Sequence, residues 1–478
     1  MINRQEIRDF SREFGLAANM IEKDYALGWV LAGISNHPAL ASSWVFKGGT
    51  CLKKCYFETY RFSEDLDFTL TNPEHMEQGF LTQAFAEVSD WVYDATGIEF
   101  PKDNLRFDII QNPRGGTSAQ GRLGYRGPLQ PGGDLPRIKL DLTPDEVLVL
   151  EPSIQAVHHP YSDRPADGIH IACYRFEEVF AEKIRALAER ERPRDLYDVV
   201  HLFRHHGLNP DRTLVLSTLE KKCAFKGIAV PTLEILENQP ERNELETEWE
   251  NMLAYQLPVL PPFEHFWQEL PSIFDWLHAG IEKVVRLPIP FGRERVDEAW
   301  RPPSMATAWN FSTPLEPIRY AAANRLCVDL TYQGSHRLIE PYSLRRTKDD
   351  NLLLYAVKHQ TGEDRSYRVG RIQGAQVTRT TFAPRYLVEL TPSGPIAAPP
   401  VERRSSDFGF PVSKRPRTTR RGSTGRASSY GPKYVFSCIV CNKRFTRTLQ
   451  NASLNAHKNK EGYPCPGRTG IYVTTKYG

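Results

Sequence analysis

Residues 44–70 read WVFKGGTCLKKCYFETYRFSEDLDFTL, and the way this stretch divides decides the fold of the N-terminal half. Trp44 to Phe46 is a short apolar strand that runs into Gly48-Gly49-Thr50, with a helix expected from Leu52. Paired glycines at a strand-to-helix turn let backbone N–H groups approach a phosphate, whose charge the helix N-terminus favours. Asp65-Leu66-Asp67 follows, then Phe68, Thr69 and Leu70. Residues i and i+2 of a strand share a face, so Asp65 and Asp67 project together. Two adjacent carboxylates repel unless a cation sits between them, and such hard oxygen ligands suit Mg²⁺ (or Mn²⁺) carrying a triphosphate.

A two-metal arrangement needs a third acid. The short alternating strand Arg137-Ile138-Lys139-Leu140-Asp141-Leu142 supplies Asp141, which points away from its apolar neighbours. Taken singly, each piece has a plain alternative: GG turns are common, a DxD pair is often a solvated face, and Asp141 alone reads as surface. Their order is the general pattern of the nucleotidyltransferase fold: strand, GGT turn, helix, DLD strand, then a later LDL strand. Further on, FEEVFAEKIRALAERERPRDLYDVVHLFRHHG (Phe176 to Gly207) reads as two amphipathic helices broken at Pro193. Lys183, Arg190, Arg194, Asp195 and Asp198 surround that break. On periodicity alone this is a salt-bridged helical hairpin.

FKGGTCLKK, RFSEDLDF and EKIRALAERERPRDLYDV closely resemble the AbiEii family of nucleotidyltransferase-like toxins, to which the MenT toxins are related. The resemblance covers roughly residues 1–280, including IEKDY (Ile21 to Tyr25) and FWQELP (Phe266 to Pro271). It implies an α/β (α+β) nucleotidyltransferase fold with a helical C-terminal part. The implied role is the toxic half of a toxin–antitoxin pair linked to abortive phage infection. That role brings a cognate antitoxin as partner, an NTP as substrate and RNA, tRNA above all, as acceptor. By the same resemblance Gly48, Gly49, Thr50 and Lys53 hold the triphosphate, and Asp65 and Asp67 hold the metal. Lys183 and Asp195 match the family's essential lysine and aspartate, whereas Asp141 rests on the fold pattern. Cys51 departs from the usual serine or alanine.

The C-terminal half divides by composition. Proline is dense over 288–317, which reads as a linker. Residues 318–392 read as short strands, among them LCVDLTYQG, NLLLYAVKHQTG and RYLVELT. This text resembles a WYL domain, with Leu354-Tyr355 at the signature dipeptide. The resemblance places Arg337, Tyr342, Arg345, Arg365, Arg368 and Arg371 where such modules meet nucleic acid or nucleotides; a plain β-barrel decorated with arginine is the alternative. Residues 393–433 are rich in Pro, Ser, Gly and Arg and cannot bury enough apolar surface to order themselves. Within them, 403–433 holds nine Lys or Arg against one acid, Asp407. Such an arm can neutralise phosphates and release counterions, or simply link. In 434–478, Cys438-x₂-Cys441, His457 and Cys465 offer a tetrahedral Zn²⁺ set around a small core of Tyr434, Phe436 and Phe445. So short a module needs that staple.

The whole chain of 478 residues is 40 % hydrophobic and 25 % charged with net charge +3, so any nucleic-acid partner is held by a local patch. Cys51, Cys55, Cys173, Cys223 and Cys327 are scattered in sequence and fit free thiols in a reducing compartment. The longest apolar run, Tyr25 to Ile34, is too short to span a bilayer. A cytoplasmic protein is expected, with 1–287 as the nucleotidyltransferase domain. Against the transferase stands a non-enzyme reading, an NTP-sensing, nucleic-acid-binding WYL-type regulator.

Overall fold

Asn3 starts the first helix, α1 (Arg4–Phe14), by accepting the Glu6 N–H, and Gly15 ends it at φ 65°, a conformation glycine adopts without a Cβ penalty. The computed structural model describes residues 1–57, 60–111, 116–129, 134–204, 209–238, 242–291, 296–297 and 315–390. In the C-terminal part it describes 433–438, 440–441, 443–447, 454, 457–458, 464–465 and 470–476. The apolar run from Tyr25 lies in α2 (Ala18–Asn36), buried along most of its length, the setting that a helix apolar on all sides requires. No helix among the described residues is long and apolar enough to cross a membrane.

After the short α3 (Pro38–Ala41) the chain enters β1 (Trp44–Lys47), α4 (Gly48–Cys51), a π-helical turn (Leu52–Tyr56), β2 (Asp65–Leu70) and α5 (Gln78–Thr96). The helix thus begins at Gly48, four residues before the position expected from the sequence. It widens at once, with the Phe57 N–H donating to Leu52 O at 2.7 Å, five residues back. Strands β3 (Leu105–Gln111), β4 (Thr117–Gly124), β5 (Arg137–Thr143), β6 (Ser153–Ala156) and β7 (His170–Cys173) complete a seven-stranded mixed sheet in the order β3-β4-β5-β2-β1-β7-β6. β2 runs antiparallel to β1 and parallel to β5.

Strand alternation decides what each face of this sheet carries. Trp44, Phe46, Leu66, Phe68, Leu70, Ile138, Leu140 and Leu142 all enter one core with residues of α2 and α5. Val45 enters the other core, built from the later helices. Lys47, Asp65, Asp67 and Asp141 occupy the alternate positions, so they face the helical layer. That layer comprises α6 (Phe176–Arg190), α7 (Pro193–Arg204), α8 (Arg212–Lys226), α9 (Leu233–Asn238), α10 (Arg242–Leu253), α11 (Phe263–Trp267) and α12 (Leu270–Phe274). The expected break falls at Glu191, held at φ 41°, and Pro193 begins α7, a first-turn position where its missing N–H costs nothing.

α13 (Leu315–Asn324) precedes an antiparallel sheet of β8 (Leu326–Tyr332), β9 (Ser335–Arg346), β10 (Leu352–Lys358), β11 (Asp364–Arg368) and β12 (Ile372–Thr381), ordered β11-β10-β9-β8-β12. Residues 318–324 are therefore helical rather than strand, and RYLVELT forms no strand among its described residues. One apolar cluster runs without interruption from α6 through α13 into this sheet. Within the proline-rich passage Pro288 and Pro290 are exposed, whereas Ile289 and Val296 are buried and Phe291 meets Tyr355 edge-on.

The chain separates into two compact units, Met1–Arg403 and Arg404–Gly478. In the second, β13 (Lys433–Cys438), β14 (Arg444–Arg447) and β17 (Gly470–Lys476) form a three-stranded sheet, and β15 (His457–Lys458) pairs with β16 (Pro464–Cys465). The basic arm of 403–432 lies outside the described residues.

Candidate active site and metal centres

Register brings the three acids together. Asp67 pairs across β2 and β5 with Asp141, two residues along from Asp65, and across β1 and β2 with Lys47. Burial raises the pKa of Asp67 to about 6; Lys47 pulls it down, while Asp141 and Asp65 push it up. Asp141 is likewise raised, by burial and then by Asp65. These are carboxylates whose negative charge is under-compensated, the electrostatic condition a divalent cation relieves.

Gly48 sits at φ +80°, and a Cβ there would lie 2.0 Å from Asp67 Oδ2. A Cβ on Gly49 would lie 2.6 Å from Arg61 Nη2 and 3.0 Å from Ser63 Oγ. Gly48 is thus required by its backbone conformation and by the approach of Asp67, and Gly49 lies close against Arg61 and Ser63. Thr50 is fully buried and spends its hydroxyl on the Asp65 carbonyl at 2.5 Å, tying the turn to the acidic strand. α4 begins without a side-chain cap, and uncapped N–H groups at a helix start are the kind that can meet an anion.

A cavity of about 240 Å³ opens between this turn and α6, lined among others by Lys47, Gly48, Gly49, Asp67, Lys183 and Arg190. Lys183 Nζ meets Asp198 Oδ2 at 2.8 Å and Asp195 Oδ1 at 3.4 Å. Burial alone would lower the pKa of Lys183, but Asp198 and Asp195 outweigh it and hold it raised. Asp195, buried, also takes a forked pair from Arg190 at 2.8 and 3.0 Å, so it positions both cations at the cavity wall. Asp198 takes a second fork from Arg61 at 2.7 and 2.8 Å and the Tyr60 hydroxyl. Against the upward push of burial, Arg61 and Lys183 hold its pKa well below the carboxylate range.

The structure therefore gathers Gly48, Gly49, Asp65, Asp67, Asp141, Lys183 and Asp195 around one region. Lys53 is not brought to it: one turn past the glycines, it lines a second cavity with Arg12, Glu13 and Tyr60. The sequence reading missed Lys47, Glu146, Glu182 and Arg185, which also line the first cavity. Lys47 pairs with Glu146 at 3.0 Å and Glu182 at 3.9 Å. The loop carrying Glu146 is fixed because Val149 and Leu150 donate their N–H groups to buried Glu178, both at 2.9 Å. Lys47 alone had a sequence signal, its place directly before Gly48.

Of the residues marked on the WYL-like sheet, Tyr342 is buried and receives the Arg385 N–H at 3.1 Å, and Arg345 is paired with Glu389. Arg337 reaches the Tyr332 carbonyl at 2.6 Å. Arg365, Arg368 and Arg371 are exposed.

In the C-terminal unit, ligand atoms of Cys438, Cys441, His457 and Cys465 all lie within 4.8 Å of one another. Cys438 and Cys465 sulfurs are 3.8 Å apart, and Cys441 Sγ is 3.4 Å from His457 Nε2. A tetrahedral ion with Zn–S bonds of about 2.3 Å separates its sulfurs by about 3.8 Å, so the set fits zinc. Cys465→Ser should cost the chain one equivalent of zinc by elemental analysis; an unchanged zinc content in the folded variant would contradict the assignment.

Residues 29–276 match the family described as "Nucleotidyl transferase AbiEii toxin, Type IV TA system", and residues 314–377 match the WYL domain. Among solved structures, MenT4, a nucleotidyltransferase toxin from Mycobacterium tuberculosis H37Rv, is similar at 18% identity with a TM-score of 0.40. The match covers 59% of this chain and 91% of that one. No curated protein sequence matches the chain.

Proposed function

Because this chain belongs to the AbiEii family of nucleotidyl transferase toxins, we propose that it moves a nucleoside monophosphate from an NTP to an RNA acceptor, tRNA foremost, in a metal-dependent reaction. The observation that carries this is the register that sets Asp67 beside Asp141 and opposite Lys47 at the mouth of the Gly48-Gly49 turn. In this reading Gly48 and Gly49 present backbone N–H groups to the triphosphate. Lys183 and Arg190 meet its charge from the opposite wall, and Asp195 holds both in place. Mg²⁺ carried by Asp65 and Asp67 would supply Lewis-acid neutralisation of the phosphates. Asp141 adds the third carboxylate on the same face. A cognate antitoxin would restrain this activity, in keeping with a toxin–antitoxin or phage-defence role in the cytoplasm. The proposed modules are 1–287, 318–392 and 434–478.

Incubating the purified chain with each α-labelled NTP and total RNA, then separating RNA from protein, tests the acceptor. Label in RNA supports the proposal, and label only in protein moves the acceptor class. Absence of transfer from all four NTPs would favour the alternative, an NTP-sensing regulator.

The arm at 403–433, with nine basic residues and one acid, should add phosphate contacts. Deleting it should weaken RNA binding and flatten the slope of log affinity against log salt by several units, since each phosphate contact contributes about 0.7–0.9. An unchanged slope would make the arm a linker.

A further inference from the structure

Three cysteines that are far apart in sequence meet behind the glycine turn. Cys51 ends α4, Cys55 lies in the π-helical turn, and Cys173 ends β7 as the register partner of Phe46. Ligand atoms of all three lie within 4.8 Å of one another, and all three are free thiols. Cys51 and Cys173 are fully buried, and Cys55 is half-buried. The five cysteines scattered in sequence are all free thiols, and the fold brings three of them together.

We propose that Cys51, Cys55 and Cys173 form a second metal site, separate from the C-terminal Cys₃His set, that takes a thiophilic ion such as zinc or cadmium through three thiolates. Three points within 4.8 Å of one another have a common centre no more than about 2.8 Å from each, and small side-chain adjustments reach the ~2.3 Å of a zinc–thiolate bond. A trigonal ion with bonds of that length sets its sulfurs ~4 Å apart. Cys55, half-buried, is the least enclosed of the three thiols. Binding displaces the thiol protons to solvent and replaces them with one shared cation. Its position gives it a mechanical consequence. Cys51 directly follows Thr50, whose hydroxyl holds the acidic strand, while Cys173 belongs to the strand on the other side of β1. An ion would tie the phosphate-binding turn to β7. This assignment is independent of the transfer activity.

The test uses the full chain carrying Cys465→Ser to disable the C-terminal site, reduced with a phosphine and titrated with Cd²⁺. The expected result is sulfur-to-cadmium charge-transfer absorption at short ultraviolet wavelengths that saturates at one equivalent, together with a rise in melting temperature. Adding Cys173→Ser should abolish that equivalent, whereas Cys223→Ser, at a buried cysteine outside the cluster, should leave it. If Cys173→Ser does not fold, by circular dichroism, Cys55→Ser at the half-buried position decides in its place. Failure of the Cys465→Ser chain to bind cadmium would overturn the proposal, as would a cadmium equivalent that survives the cluster substitution.

Discussion

Asp67→Asn should leave a chain that melts at or above the parental temperature without metal, while nucleotide transfer falls on the order of 10³-fold or more. The two effects separate because the charge that serves the site destabilises the fold. Asp67 has its pKa raised from 3.8 to about 6. A carboxyl that holds its proton more tightly when folded carries no penalty below the unfolded pKa. The penalty grows as pH rises through that window and is complete above the folded pKa. Each tenfold gain in proton affinity corresponds to about 1.4 kcal/mol, so at neutral pH the charged Asp67 costs on the order of 3 kcal/mol. Asparagine keeps the shape and removes the charge, so metal-free Asp67→Asn should gain stability above pH ~6 and show no gain near pH ~4. Urea midpoints across that range measure it. Loss of stability at neutral pH would assign Asp67 a structural ion pair instead.

Asp198→Ala should behave in the opposite way and cost about 3–5 kcal/mol of folding stability, the range for removing one partner from a buried ionic network. Asp198 is wholly buried, with Lys183 at 2.8 Å and Arg61 forked onto it. Without it the hydrogen bonds left to the Arg61 guanidinium among the described residues go to neutral groups, Phe62 O and Gln256 Oε1, the latter at 3.0 Å. Two cations would then share a desolvated space, with Asp195 still paired to Lys183 at 3.4 Å. Transfer should fall as well, because Lys183 loses its nearer anchor. A shift in unfolding free energy below about 1 kcal/mol would show that the network is not buried as described.

The residues that form the site were legible where chemistry and local pattern coincide. Gly48, Gly49, Asp65 and Asp67 fall within twenty residues, and strand alternation alone places the two acids on one face. Asp141 could be singled out by its apolar flanks, Leu140 and Leu142, but its register against Asp67 is a tertiary fact. Of the four side chains that cluster in the C-terminal unit, Cys438 and Cys441 were legible because the CxxC spacing restricts geometry locally. Lys53 was placed by motif position, whereas it lies in the π-helical turn at Leu52–Tyr56 and lines another cavity. Arg61 is separated from Asp198 by 137 residues, and Cys173 is similarly distant from Cys51. No periodicity encodes such pairings, which arise only when β7 crosses over to lie beside β1. RYLVELT has the β-branched and aromatic content of a strand, yet it forms none among its described residues. Instead, Leu390 and Glu389 hydrogen-bond back to Tyr342 O at 3.2 and 2.8 Å, and Val388 and Leu390 are buried.

The central claim, nucleotidyl transfer carried by the acidic strand pair, is tested most directly by initial rates of label incorporation from α-labelled NTP into RNA. Parent and Asp67→Asn are compared with Mg²⁺ and with chelator, and melting temperature is recorded on the same samples. The account predicts labelling by the parent that needs the divalent ion, and labelling at least about a thousandfold slower by a variant that is folded just as well. Equal rates for the two proteins, or a parental rate indifferent to chelator, would contradict it.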